Sequence, residues 1–100
     1  MILEIADIRI HPGKQSEFDA AIKLGLETAV AKAKGYISHQ VQKCIETPER
    51  YILMIHWQTL ENHTVDFRGS PAFTEWRGHV GPFFAAPPNV EHFTLLTASN

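Results

Sequence analysis

The segment YILMIHWQ, residues 51–58, decides how the chain is read. Eight residues rich in branched and aromatic side chains are too few for a buried helix and suit a strand. Alternation puts Tyr51, Leu53, Ile55 and Trp57 on one face and Ile52 and Met54 on the other, so both faces of this strand call for cover. Residues 37–46 read as a strand before it, and the turn around Thr47-Pro48-Glu49 makes the two a hairpin. Pairing Glu46 with Arg50 would set Gln40 against His56 and His39 against Trp57.

Upstream, ILEIADIRIH at residues 2–11 is a further strand, with Ile2, Ala6, Ile8 and Ile10 on one face and Leu3 and Ile5 on the other, interrupted by Asp7 and Arg9. His11-Pro12-Gly13-Lys14 is its closing turn. The period then changes: Phe18, Ala21, Ile22, Gly25, Leu26, Ala29, Val30 and Ala33 fall on one helical face, with Ser16 as N-cap and Gly35 at the C-terminal end. Gly25, on that apolar face, signals either a closely approaching strand or room for a ligand. After the hairpin, Thr59 caps a short helix from 60 to about 68, Ser70-Pro71 restarts it, and Gly81-Pro82 stops it after about His79. A loop with Phe83, Phe84, Pro87 and Pro88 leads to a last strand, NVEHFTLLT, residues 89–97.

The order β, α, β, β, broken α, β spans residues 1–100 as a single domain. It predicts the α+β, ferredoxin-like βαββαβ plan, a four-stranded antiparallel sheet with its helices on one face. Those helices cover one face only, yet two strands are apolar on both. The other face therefore calls for a second sheet, most economically that of a second copy, giving a dimeric α/β barrel.

Composition excludes several partners. Nine Lys and Arg against eleven Asp and Glu, a net charge of −2, leave no basic stripe for nucleic acid. No apolar run reaches the length of a membrane span, no charged-then-apolar leader appears, and the lone Cys44 rules out an internal disulfide; the default expectation is a cytoplasmic setting. No glycine-rich nucleotide fingerprint is present, and the histidines lack metal-ligand spacing, so no cofactor and no metal are expected.

Pro12-Gly13-Lys14, Phe18, Gly35-Tyr36, Trp57, Ser70-Pro71-Ala72-Phe73 and His79-Val80, in this order and spacing, resemble the antibiotic biosynthesis monooxygenase family over nearly the whole chain. The resemblance implies a dimeric α+β barrel and, for some members, oxygenation of small aromatic polyphenols without metal or flavin. Others degrade haem or handle quinols. Here Phe67 stands where many members have His and haem-degrading ones Trp, Arg77 where the latter have their axial His, and Ile55 where many have Glu. Haem degradation is accordingly not the expectation.

Oxygenation without a cofactor needs a pocket for an aromatic ring, a base for a phenolic proton of pKa about 10 and a donor for the oxyanion. Most of the chain's aromatics lie between Trp57 and Phe84, with His63, His79, Asn62, Arg68 and Arg77 among them. The candidate catalytic residues are His79, His63 and Asn62; the candidate substrate-binding residues are Trp57, Phe67, Arg68, Phe73, Trp76 and Phe83. Each has a plainer reading beside the functional one: Trp57 as core, His79 as a helix-end charge, Asn62 as an exposed helix start, Arg77 as solvated, Arg68 as a cap. The ligand expected is a small aromatic or quinol. The alternative to an enzyme is a non-catalytic binding or dimerisation module, whose helix–sheet space would be filled solidly by Phe18, Leu26, Trp57, Phe73 and Trp76.

Overall fold

The computed structural model describes residues 1–100. Strand β1 (Ile2–Arg9) leads to helix α1 (Gln15–Thr28) and a 3-10 turn (Val30–Lys32), followed by β2 (Tyr36–Lys43) and β3 (Arg50–Trp57). A π-helical segment (Asn62–Phe67), helix α2 (Pro71–Val80), a second 3-10 turn (Gly81–Phe83) and β4 (Asn89–Phe93) complete the chain. The sheet has the order β2-β3-β1-β4 with every neighbouring pair antiparallel, the ferredoxin-like arrangement that the periodicities predict.

The helices cover the sheet face formed by alternate residues: Ala6 and Ile8 of β1 and Tyr51, Leu53, Ile55 and Trp57 of β3 are buried beneath them. From α1, Phe18, Ile22 and Leu26 face this layer; from α2, Trp76 and Val80 do. One end of the layer is solid. Phe18 meets Tyr51 edge-on with ring centroids 4.7 Å apart and Phe83 at 5.7 Å, so Phe83 fills the core edge.

Several local expectations change. The hairpin register slips by two residues, with Gln40 opposite Met54, His39 opposite Ile55 and Ser38 opposite His56. Cys44 N–H donates to Arg50 C=O and Arg50 N–H to Thr47 C=O, so Ile45 and Glu46 enter the loop instead of the ladder. A slip of two keeps every side chain on its face. A bulge between Tyr36 and Ser38 then brings Tyr36 back opposite Trp57. Helix α1 starts two residues earlier than expected, with Lys14 at its cap and no side-chain cap bond; Ser16 lies inside the first turn. Ser70 does precede α2, but its hydroxyl turns back to donate to Phe67 C=O at 2.7 Å. The close approach at Gly25 comes from α2 and not from a strand. A Cβ there would stand 2.9 Å from the Trp76 ring and 3.2 Å from His79 Cβ, so the small residue sets the spacing of the two helices.

The opposite sheet face carries Leu3, Ile5, Ile52, Met54 and Phe93, and no element of the chain covers it. Strand β4 ends at Phe93, opposite Leu3, because its partner β1 begins at Ile2; Leu95 and Leu96, expected within the strand, are 78% and 95% exposed.

Gly35 joins the 3-10 turn to β2 with φ of +83°, and an added Cβ would overlap the Asn62 side chain. The left-handed backbone alone disfavours a side chain by roughly 1–2 kcal/mol, and displacing the Asn62 cap adds about 1 kcal/mol. Gly13 has φ of +80° but open space around its Cα. Urea unfolding should therefore show Gly35→Ala losing about 2–3 kcal/mol and Gly13→Ala only the backbone part. Equal losses would show that the Asn62 cap gives way freely.

Candidate active site

The other end of the helix–sheet layer is open. A cavity of about 270 Å3 lies there, between Glu4, Ala6, Leu53 and Ile55 on the sheet and Phe67, Phe73 and Trp76 on the helical side, with Phe84, Pro87, Pro88 and Val90 completing its wall. An apolar cavity of about 150 Å3 already holds a benzene ring, so this one has room for a substituted bicycle.

Its most unusual lining group is Glu4. β1 alternation sends residue 4 inward with Ile2, Ala6 and Ile8, which leaves a carboxylate 5% exposed on an apolar face. Trp57 Nε1–H donates to Glu4 Oε1 at 3.0 Å, and His63 Nε2 stands 3.3 Å from the same oxygen. The second carboxylate oxygen makes no hydrogen bond and is not sealed by protein, which leaves it open to the cavity. Burial pushes the Glu4 pKa up to about 6, against the Trp57 hydrogen bond and the charge of Arg68, which pull it down. The carboxyl group is thus ionised at neutral pH but takes up a proton more readily than a solvated glutamate.

His63 is buried and stacks on Trp57 with centroids 5.3 Å apart. Its Nδ1 lies 2.8 Å from His92 Nε2 on β4, the edge strand. Burial pushes the His63 pKa down to about 4, with Arg68 and His92 adding to the effect; burial and Arg68 lower His92 as well. At neutral pH both rings are uncharged. With Glu4 ionised, the pattern that suits every contact has His63 Nε2–H facing the carboxylate and His92 Nε2–H donating to His63 Nδ1. Glu4, His63 and His92 form a line from the cavity floor to the half-buried sheet edge. Within that line the His63–His92 contact has hydrogen-bond geometry, and His63 Nε2 is a close neighbour of the carboxylate. The line does not converge on one point, and no group of three His, Cys, Asp or Glu side chains is placed to hold a metal ion.

The π winding explains why Arg68 belongs to the site. Its i→i+5 bond, Arg68 N–H to His63 C=O at 3.2 Å, adds a residue to the turn. Residues four and five apart then flank the same face, so Phe67 and Arg68 both reach the cavity beside His63. In an α-helix, Arg68 would point well away from His63. Phe67 packs against Trp57 at 5.7 Å and Phe73 at 5.6 Å.

Of the residues expected to form the site, the cavity collects His63, Phe67, Arg68, Phe73 and Trp76, together with Arg77, whose guanidinium lies 5.8 Å from the Phe73 ring centre. Trp57 stands behind His63 and Phe67, its N–H given to Glu4, and does not line the cavity. Asn62 is buried and occupied: it accepts from Thr59 N–H, donates to Asp66, and its own N–H is capped by the Thr59 hydroxyl, a reciprocal capping box. His79 sits outside the cavity beside Gly25, 3.6 Å from Glu75. Phe83 packs on Phe18, while its neighbour Phe84 lines the cavity.

Glu4 and His92 were absent from the sequence-based candidates. Their signal was present: Glu4 interrupts the inward alternation of Ile2, Ala6, Ile8 and Ile10, and His92 shares its strand face with Val90. Glu4 is also the ladder partner of Ile55, where the resemblance expects Glu, so the carboxylate reaches the Trp57 indole from the adjacent strand.

Comparison with known proteins agrees with this architecture. Residues 1–78 match the model of the family described as antibiotic biosynthesis monooxygenase. The uncharacterised protein YczJ of Bacillus subtilis (strain 168) is 39% identical over 93 residues, covering 93% of this chain and 97% of YczJ. A crystal structure of a candidate antibiotic biosynthesis monooxygenase from Bordetella bronchiseptica is 40% identical, with a TM-score of 0.91 over 96% of this chain and 97% of that one. SnoaB, a cofactor-independent oxygenase from Streptomyces nogalater, shares the fold at 13% identity, with a TM-score of 0.81 over 97% and 94% of the two chains. By the family model and by two relatives near 40% identity, the chain belongs to the antibiotic biosynthesis monooxygenase family.

Proposed function

We propose that this chain is a monooxygenase that oxidises a small phenolic or quinol-like aromatic in the helix–sheet cavity without metal or flavin; SnoaB, which shares the fold, is a cofactor-independent oxygenase. One observation carries the reading: an unpaired carboxylate oxygen of Glu4, with a pKa of about 6, faces an apolar cavity of about 270 Å3. Glu4 accepts the phenolic proton, and Arg68 stabilises the phenolate that forms. The electron-rich phenolate then reduces O2. One oxygen atom enters the substrate, and the other leaves as water with the two hydrogens the substrate gives up, so the balance needs no outside reductant. His63 and His92 exchange protons between Glu4 and solvent.

A dimerisation module would have no use for a buried carboxylate beside a cavity, and a pKa raised to about 6 suits a base better than a passive ligand contact, which favours the enzyme reading. Dimerisation itself accompanies the enzyme reading. Leu3, Ile5, Ile52, Met54 and Phe93 leave an apolar sheet face uncovered, with the exposed Leu95 and Leu96 beyond β4. A second copy packed face to face would bury it.

The catalytic reading is tested with an oxygen electrode over a panel of polyphenols and quinols. Turnover should rise with pH through an apparent pKa near 6, because Glu4 must be ionised to act as base. Glu4→Gln should lower kcat/KM by about 100-fold or more and remove that limb; retained activity with an unchanged pH profile would defeat the assignment. The same variant should alter stability with a definite sign. The folded Glu4 pKa of about 6 lies above the ordinary 4.5, so its contribution to stability is present below pH 4.5 and is lost as pH rises through 6. Thermal melts of Glu4→Gln should therefore match the parent most closely in acid and exceed it at pH 8. For the assembly, light scattering should give twice 11.3 kDa, and Met54→Glu should shift it toward the monomer; a parent mass of 11.3 kDa would sink the dimer.

A further inference from the structure

We infer that the ligand of this cavity is an anionic aromatic, a hydroxylated one- or two-ring compound bearing a carboxylate, whose phenol points to Glu4 and whose carboxylate is held at the mouth by Arg77. The orientation of the phenol rests on the oxygenase reading; recognition of the anion does not.

Two cations line a predominantly apolar cavity, Arg68 from the end of the π segment and Arg77 from α2. Neither guanidinium makes an ion pair or a side-chain hydrogen bond within the chain. Nearby acids are engaged elsewhere: Asp66 takes Asn62 and Lys34, Glu75 faces His79, and Glu91 accepts from Asn89. Lining charge is therefore two guanidinium groups against one carboxylate, an excess of one positive charge in a chain whose total is −2.

Both arginines are exposed at the lining and act on different groups. The charge of Arg68 acts on Glu4, His63 and His92, the end where the phenolic oxygen would sit. Arg77 lies instead beside the Phe73 ring, its guanidinium 5.8 Å from the ring centre. A guanidinium presents a planar fork of donors that matches a carboxylate in two parallel hydrogen bonds. The aromatic walls of Phe67, Phe73 and Trp76 accept the flat ring between these two ends. A neutral polyphenol would leave Arg77 without a partner; an aromatic acid uses it.

Isothermal titration calorimetry at pH 7.5 and low ionic strength separates these cases with two redox-stable probes of the same ring, 6-hydroxy-2-naphthoate and 2-naphthol. The acid is expected to bind at least tenfold more tightly, a preference that Arg77→Met reduces to near parity, that Arg77→Lys partly restores, and that added salt weakens. Circular dichroism checks that the variants are folded. Equal or tighter binding of 2-naphthol, no measurable binding of the acid up to millimolar concentration, or an acid preference unchanged in Arg77→Met would each overturn the inference. Oxygen uptake is scored separately: acid preference without any turnover on the quinol panel would remove the oxygenase reading and leave the anion site standing.

Discussion

The buried hydrogen bond from Trp57 to Glu4, 3.0 Å long, is the contact on which the rest of the site depends. A carboxylate on the inward face of a central strand is unfavourable unless something polar meets it. In this protein the indole supplies one donor, the His63 ring stands beside it, and the charge of Arg68 favours the ionised form of Glu4. The indole comes from the end of β3, the imidazole from within the π segment and the guanidinium from the residue that caps it. The sheet register that pairs Glu4 with Ile55, and Ile2 with Trp57, places the carboxylate diagonally across from the tryptophan on the adjacent strand. Burial still raises the Glu4 pKa to about 6, which makes the ionised group a stronger base at neutral pH than a solvated glutamate.

The same layer divides into two halves with different physical characters. At the closed half, Phe18, Tyr51 and Phe83 pack edge to face and Val80 is fully buried, so stability is concentrated there. At the open half, the space between Phe67, Phe73 and Trp76 stays unfilled, and the ionisable groups gather around it. Gly25 contributes to this division from a distance. By letting α1 and α2 approach closely at Trp76 and His79, it seats the Trp76 ring that forms part of the cavity wall.

The strands, the order of elements and the one-sided helix layer were legible in the sequence, because periods of two and of 3.6 survive in ILEIADIRIH, YILMIHWQ and the stretch from Phe18 to Ala33. The hairpin register was not. Face identity is preserved by a two-residue slip, so alternation alone cannot choose between pairing Arg50 with Glu46 or with Cys44. His63, Phe67, Arg68, Phe73 and Trp76 were legible as a cluster because the broken helix brings them near one another in sequence. Glu4 and His92 were harder to place. They come from opposite ends of the chain, and only the β1–β4 pairing, Glu4 against His92, brings them side by side. Asn62 and His79, weighed as catalytic, are taken up elsewhere, Asn62 by the capping box and His79 by its place beside Gly25 of α1.

The π turn between Asn62 and Phe67 has a consequence of a different kind, because it makes chain length, and not residue identity, the control on the charge of the cavity. A π turn differs from an α turn by one inserted residue. Removing one residue there would let the segment rewind as an α-helix while leaving every remaining side chain chemically unchanged. The guanidinium of Arg68 would then swing off the lining face, and the floor would lose its cation beside Glu4. Among proteins built on this fold, single-residue gaps in that segment are therefore where a change in ligand charge would be written, at positions that a residue-by-residue comparison of side chains passes over.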